Sequence, residues 1–150
     1  MSAVYDMAFG GMGLQGAPVP EVPRILVVDD HRDNIEVLEI VLECEGFLIL
    51  TATSGEEALA SIAEQPPHLI LLDVMMPGMD GFQVAAEIKG NPTTKHIPIL
   101  MVTALDGPKA RMLALSAGAE DLLTKPFGAA EVCARVRHLL RLKIALLPTG

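Results

Sequence analysis

Three aspartates stand where short apolar runs end. The segment RILVVDD closes with Asp29 and Asp30, and LILLDVMMPGMDG places Asp73 directly after a second run. A single acid in this position has an ordinary explanation, because it can cap the helix that follows a buried strand. Ligands, however, bind at the carboxyl ends of parallel strands, so the recurrence predicts that the three carboxylates converge on one sheet edge.

Converging carboxylates suggest a bound cation. They repel one another and raise each other's pKa values unless a positive charge neutralises them. Mg²⁺ suits an incomplete oxygen cage made of one or two carboxylates, a backbone carbonyl, waters and a phosphate group. We therefore predict that Asp30 and Asp73 are direct ligands of Mg²⁺. The alternative is a set of three solvated acids with capping roles.

Two further polar residues follow apolar runs. Thr103 ends IPILMVT, and Lys125 follows DLLT. Acids, a hydroxyl and an ammonium at one edge suit a phosphoryl group, because a carboxylate can attack phosphorus while a metal ion, Lys125 and Thr103 stabilise the equatorial oxygens. Singly, Thr103 is an ordinary strand-end hydroxyl and Lys125 a solvated lysine. The prediction rests on their combination.

The elements that must position these residues alternate along the chain. The predicted strands are residues 25–28, 47–51, 69–72, 97–102 and 121–124. The predicted helices are residues 32–45, 55–64, 81–89, 107–117 and 128–143. This alternation predicts an α/β fold with a parallel sheet and helices on both faces.

Local signals support the helices. Ser54 and Glu57 have the spacing of a capping box, and Gly46 can end the first helix in a left-handed turn. The last helix carries one apolar stripe, formed by Val132, Val136, Leu139 and Leu140.

Composition restricts the classes of function. The chain has 150 residues, enough for one domain with a substantial core, and 51% of them are hydrophobic. No apolar run reaches the roughly 18 residues of a membrane span, and the start does not resemble a secretory signal, so we expect a cytoplasmic protein without a membrane partner. The net charge of −8 disfavours direct nucleic-acid binding and favours a protein partner.

Zinc and redox sites have little support in the sequence. Cys44 and Cys133 form no Cys-x-x-Cys pair, and no histidines stand at ligand spacing. Both cysteines are predicted to be reduced core thiols.

The Gly- and Pro-rich residues 1–23 are predicted to form a flexible extension. Residues 11–16 match the dinucleotide-binding pattern G-x-G-x-x-G, but no strand precedes them and Pro18, Pro20 and Pro23 follow. The match is therefore rejected.

Together the motifs VVDD, LLDVMMPGMDGF, VTA and GAEDLLTKPF resemble the receiver domain of bacterial two-component response regulators. The resemblance covers about residues 23–143 and implies a flavodoxin-like (βα)5 doubly wound sheet with strand order 2-1-3-4-5. The expected organisation is an extension over residues 1–23, a receiver domain over 24–143 and a tail over 144–150.

The resemblance also implies a role for each acid. Asp73 would accept a phosphoryl group from a histidine kinase or a histidine phosphotransfer protein. Asp30, Asp73 and the backbone carbonyl of Met75 would hold Mg²⁺, and Asp29 would orient its waters. Such a domain is not an enzyme in the usual sense, although it assists its own phosphorylation and dephosphorylation.

Three positions near the fifth strand complete the implied site. Thr103 and Lys125 would contact the phosphoryl oxygens, and the bond between Lys125 and Pro126 is expected to be cis. The chain departs from the family at Leu122, where an aromatic residue is common. That departure leaves open how a switch at Thr103 would couple to the rest of the domain.

Other readings remain. A pseudo-receiver would keep the fold as an interaction module without phosphorylation. A hydrolase of the haloacid-dehalogenase type needs a second aspartate where this chain has Met75. The segments NPTTKHIPILMVTALDG and ARVRHLLRLK resemble receivers attached to diguanylate cyclases. We expect control of an effector protein or output domain, with possible phosphorylation-dependent dimerisation, from either a single-domain regulator or part of a longer protein.

Overall fold

The computed structural model describes residues 22–105 and 107–145. Its strands are β1 (Arg24–Val28), β2 (Leu48–Ala52), β3 (Leu69–Asp73), β4 (Ile99–Thr103) and β5 (Asp121–Thr124). Its helices are α1 (Arg32–Glu43), α2 (Gly55–Glu64), α3 (Gly81–Gly90), α4 (Gly107–Ser116) and α5 (Ala129–Ala145). The predicted extension, except residues 22 and 23, and residues 146–150 of the predicted tail lie outside the described part. Helix α5 continues two residues past the predicted end at 143.

The five strands form one parallel sheet with the order β2-β1-β3-β4-β5. This confirms the predicted fold class and strand order. The pairing aligns Asp73 with Val102 and Thr103 with Thr124. Because the strands are parallel, the residues that follow β1, β3, β4 and β5 meet at the same edge.

Alternate residues of the strands pack on opposite faces of the sheet. One cluster joins Ile25, Val27 and Leu71 to helices α1 and α5. The other joins Leu26 and Ile70 to helices α2, α3 and α4. The sheet is therefore covered on both faces, which explains why its central strands are nearly continuous apolar runs. Among the described residues, no helix is long and apolar enough to cross a membrane.

The second and fourth strands begin later than predicted. The apolar residues at the predicted starts pack in the core but do not pair with a neighbouring strand. Phe47 is buried, but its N–H bonds to the Leu42 carbonyl and closes α1, so β2 begins at Leu48. Gly46 in that turn has φ 92°, as its left-handed role required. Ile97 is likewise buried two residues ahead of β4.

The predicted helix signals are largely confirmed. The Ser54 side chain accepts the N–H of Glu57, while the Glu57 carboxylate accepts the N–H of Thr53. The stripe of α5 is buried at all four positions: Val132, Val136, Leu139 and Leu140.

The prediction of two core thiols is half wrong. Cys133 is buried on α5, whereas Cys44 is exposed, and both are free thiols. Cys44 follows the last residue of α1 as its C-cap, and the buried face of that helix is formed by Ile35, Leu38 and Leu42. Position 44 therefore lies outside the packed face.

Gly81 begins α3 in contact with the end of β3, and alanine should not fit there. An added Cβ would lie 2.4 Å from the Asp73 carbonyl oxygen and 2.7 Å from Val74 Cα, and both are backbone atoms. We expect Gly81→Ala to lower the free energy of unfolding by on the order of 3 kcal/mol, measured by urea denaturation. Gly90→Ala is the control, because nothing lies within 4 Å of its added Cβ. Equal stability of the two variants would contradict the close contact.

Candidate functional site

Three carboxylates gather at the carboxyl edge of β1 and β3. Asp29 and Asp30 follow β1, and Asp73 is the last residue of β3. Asp29 and Asp73 are only 3% and 4% exposed, whereas the Asp30 side chain is 22% exposed. Two of the three acids are therefore buried, which does not fit the alternative of three solvated acids.

Lys125 joins two of these acids. Its Nζ lies 3.3 Å from Asp73 Oδ1 and 3.7 Å from Asp29 Oδ2. The backbone places the lysine, because its N–H donates to the Thr103 carbonyl at 2.8 Å. The bond between Lys125 and Pro126 is cis, as the resemblance implied. The structure thus brings Asp29, Asp73 and Lys125 into direct contact.

Asp29 and Asp30 differ in their partners. Asp29 Oδ1 accepts the backbone N–H of His31 at 2.8 Å, and its Oδ2 accepts Nδ2 of Asn34 at 3.2 Å. Asp30 Oδ1 is buried and accepts no hydrogen bond. A buried carboxylate oxygen without a donor is costly unless a cation is near. This oxygen therefore fits a metal ligand better than a capping group.

Thr103, the last residue of β4, and Met75, which follows β3, lie at the same edge. The Thr103 side chain is buried, and its Oγ accepts the N–H of Leu105 at 3.0 Å. Met75 lies two residues after Asp73, with its side chain 59% exposed. The Thr103 oxygen accepts from Leu105, so its hydroxyl proton is still free to donate to another acceptor.

Asp29 and Asp73 open onto a cavity of about 530 Å³. Asp29, Asp73 and Lys125 line its polar part. Its apolar part includes Val37 from α1 and Phe127 from the segment before α5. The polar groups therefore face a concave space that can admit a partner's side chain.

Asp73 has a raised pKa. Burial is the main cause, and the neighbouring charge of Asp29 adds to it, while Lys125 opposes both. The ionised form is thus less favourable in the folded protein than in water. A cation bound at the edge would reverse this, because it favours the ionised carboxylate.

The raised pKa of Asp73 predicts a pH-dependent cost to stability. The stability that protonated Asp73 adds to the folded state is fully present below its ordinary carboxyl pKa of 3.8. That stability is lost as the pH rises through the higher pKa of the folded state. In EDTA, Asp73→Asn should therefore become more stable than wild type as pH rises from about 4 to about 7, by on the order of 1 kcal/mol. Urea unfolding of both proteins measures this difference. A difference that stays constant or shrinks would contradict the prediction.

Leu122, where an aromatic residue was expected, already points into the core. It is 6% exposed, pairs with Met101 between β4 and β5, and belongs to the cluster on the side of α2, α3 and α4. In the described part of the chain, no hydrogen bond joins Leu122 to Asp29, Asp30 or Asp73.

Sequence reasoning missed two residues of the site. Asn34 holds Asp29 from the first turn of α1, and His31 lies against both Asp29 and Asp30. The search for histidines at ligand spacing did not find His31, which lies with Asp29 and Asp30 in a cluster whose ligand atoms are all within 4.8 Å of one another. Spacing rules look for ligands separated along a helix or loop, whereas His31 directly follows the acidic pair.

Comparisons with known proteins agree with this geometry. Residues 25–137 match the family described as the response regulator receiver domain. Response regulator PleD of Caulobacter vibrioides is 50% identical over 123 residues, which is 82% of this chain and 27% of that protein. Alkaline phosphatase synthesis transcriptional regulatory protein PhoP of Bacillus subtilis is 43% identical over 79% of this chain and 48% of that protein. The chain thus spans from about a quarter to about half the length of these relatives.

A solved structure extends the agreement to the fold. The crystal structure described as a response regulator from Chloroflexus aurantiacus superposes with a TM-score of 0.78 at 39% identity, covering 81% of this chain and 99% of that one. The family match covers most of the chain, and PleD is 50% identical over 82% of it. The chain therefore belongs to the receiver domain family of two-component response regulators.

Proposed function

We propose that Asp73 is the phosphoacceptor of this receiver domain. The observation that carries the proposal is the Nζ of Lys125, which lies within 3.7 Å of the buried carboxylates of both Asp73 and Asp29, and all three residues line the cavity. Asp73 is the carboxylate at that cavity held by fewer donors, since Asp29 already accepts two hydrogen bonds from His31 and Asn34. An oxygen of Asp73 is therefore available to attack.

The proposed reaction transfers a phosphoryl group from a phosphohistidine. A carboxylate oxygen of Asp73 forms a bond to phosphorus as the phosphorus–nitrogen bond of the donor breaks, and the donor imidazole takes up a proton from solvent. The Lys125 ammonium stabilises negative charge on the transferred oxygens. The Thr103 hydroxyl would donate its proton to a phosphoryl oxygen, a role that its acceptance of the Leu105 N–H leaves free.

The donor set fits Mg²⁺. Asp30, Asp73 and the backbone carbonyl of Met75 would be direct ligands, with Asp29 acting through water. Asp30 Oδ1 supports this assignment, because it is buried and accepts no hydrogen bond, although His31 Nδ1 lies 3.2 Å away. When bound, the ion would neutralise the repulsion among the acids and polarise the phosphoryl oxygens. The domain itself is a phosphoacceptor that assists its own modification and is not an enzyme with a separate substrate.

The partners follow from the same proposal. A histidine kinase or histidine phosphotransfer protein in the cytoplasm would supply the phosphoryl group, and an effector protein or output domain would respond. The relatives include a transcriptional regulatory protein, so direct contact with nucleic acid by a longer protein is compatible with this domain. The likeness to receivers of diguanylate cyclases makes a cyclase one proposed output. Dimerisation on phosphorylation belongs to the same proposal.

Small-molecule donors test the phosphoacceptor function. Protein incubated with acetyl phosphate and Mg²⁺ should gain the mass of one phosphoryl group, while the same mixture with EDTA should give none. A pseudo-receiver, the remaining alternative, would gain none in either mixture. Equal gain with and without EDTA would show that the reaction does not use the acidic site.

A further inference from the structure

The helices at the two ends of the sheet are opposite in charge. Helices α1 and α2 contact β2 at one end, and their acids, four in α1 and three in α2, stand against one basic residue, Arg32. Helix α4 contacts β5 at the other end and carries Lys109 and Arg111 but no acid. The fold therefore separates acidic and basic helices.

The outer face of α1 combines acids with apolar side chains. Val37 and Ile40 are 61% and 64% exposed. The exposed Glu36 and Glu43 lie on the same side of the helix as Ile40, since residues three or four positions apart share a face. Among the described residues, no ion pair involves Glu36 or Glu43. These four residues form the α1 face.

The outer face of α4 is also apolar but has the opposite charge. The buried residues of this helix are Ala110 and Ala114, so its larger side chains are left to the solvent. The α4 face consists of five exposed residues: Lys109, Arg111, Met112, Leu113 and Leu115. Within the described ranges, no ion pair involves either cation. An exposed apolar cluster of this kind marks an interaction surface, and its cations favour an acidic partner.

The chain itself carries a surface that complements the α4 face. A contact of α4 with α4 would bring Lys109 and Arg111 of both copies together, and like charges across an interface are unfavourable. We propose that the α4 face of one copy docks on the α1 face of a second copy. Because the two faces lie at opposite ends of the sheet, the contact is head to tail and joins copies into chains or rings. It does not involve Asp73, so we expect it in the unphosphorylated protein.

Sedimentation velocity of the full, unphosphorylated chain tests the inference. At about 0.1 M salt, charges interact over about 10 Å, and the weight-average mass should rise with protein concentration above that of one copy. At about 1 M salt, screening within about 3 Å should return the protein to the monomer mass. A monomer at every concentration up to about 1 mM in the lower salt, or association that the higher salt leaves unchanged, would overturn the inference.

Charge reversal on either face should abolish the association. One variant combines Glu36→Lys with Glu43→Lys, and the other combines Lys109→Glu with Arg111→Glu; all four side chains are exposed. Each variant alone should stay monomeric in the lower salt, because its remaining native face meets a face of like charge. Far-UV circular dichroism checks that both variants are folded.

Two comparisons assign the contact to these faces. Glu64→Lys with Glu87→Lys makes the same change in net charge at exposed positions of α2 and α3, and it should associate like wild type. An equimolar mixture of the α1 and α4 variants should associate again, because each keeps the native face that complements the other's. A mixture that stays monomeric, or an α1 variant that associates like wild type, would contradict the head-to-tail contact.

Discussion

Replacing Asp73 with asparagine should abolish phosphorylation by acetyl phosphate. The amide is close to the carboxyl group in shape but lacks the nucleophilic oxygen that would form the acyl phosphate. Asp29, the other acid that lines the cavity, is a poor substitute, because its two oxygens already accept hydrogen bonds from His31 and Asn34. Intact mass after incubation with Mg²⁺ should therefore show no phosphoryl gain in Asp73→Asn.

Two checks make this loss interpretable. Asp33→Asn removes the same charge from an exposed acid in the first turn of α1 and should be phosphorylated like wild type. Asp73→Asn should also remain folded, because the replaced carboxylate is buried and has a raised pKa. Full phosphoryl gain in a folded Asp73→Asn protein would place the acceptor elsewhere.

Removing the carboxylate of Asp30 should weaken Mg²⁺ binding. Asp30→Asn takes away one negative charge and the buried oxygen that lacks a hydrogen-bond partner. We expect an affinity loss of about tenfold or more, which corresponds to about 1.4 kcal/mol or more. The measurement is calorimetric titration with Mg²⁺.

Variants of two neighbouring acids serve as comparisons for the Mg²⁺ affinity of Asp30→Asn. Asp29→Asn should weaken Mg²⁺ binding less, because the proposed contact of Asp29 runs through water. Asp33→Asn removes the same single negative charge from an exposed position and should have little effect at physiological salt. Similar affinities in Asp30→Asn and Asp33→Asn would mean that the ion binds by general charge attraction and not at this site.

The fold was predictable because this sheet buries both faces of its strands. Continuous apolar runs such as that of β3 distinguish interior parallel strands, and the alternation with helices sets the architecture. The strand order itself came from the family resemblance and not from the pattern. Boundaries were less predictable, since Phe47 and Ile97 are buried without belonging to a strand.

The proximity of the site residues was predictable, but their contacts were not. Parallel strands bring Asp73 and Lys125 to one edge in any regular sheet, so the sequence pattern suffices for that step. The pairing of Lys125 with both Asp29 and Asp73 depends on side-chain geometry.

Some contacts left no sequence signal. Glu120, for example, accepts the N–H of Ile99 and the ammonium of Lys89, which is 31 residues away in the chain. His31 was not predicted as a site residue. Its position depends on a local contact, because its backbone N–H donates to Asp29 and its imidazole lies close to Asp30.

Locating the phosphoryl group tests the central claim most directly. Protein phosphorylated by acetyl phosphate in Mg²⁺ can be reduced with borohydride, which converts an aspartyl phosphate to homoserine, and tandem mass spectrometry then identifies the converted residue. We predict homoserine at position 73 alone, and none when EDTA replaces Mg²⁺. Homoserine at position 29 or 30, or a phosphorylated protein that borohydride does not convert at position 73, would contradict Asp73 as the phosphoacceptor.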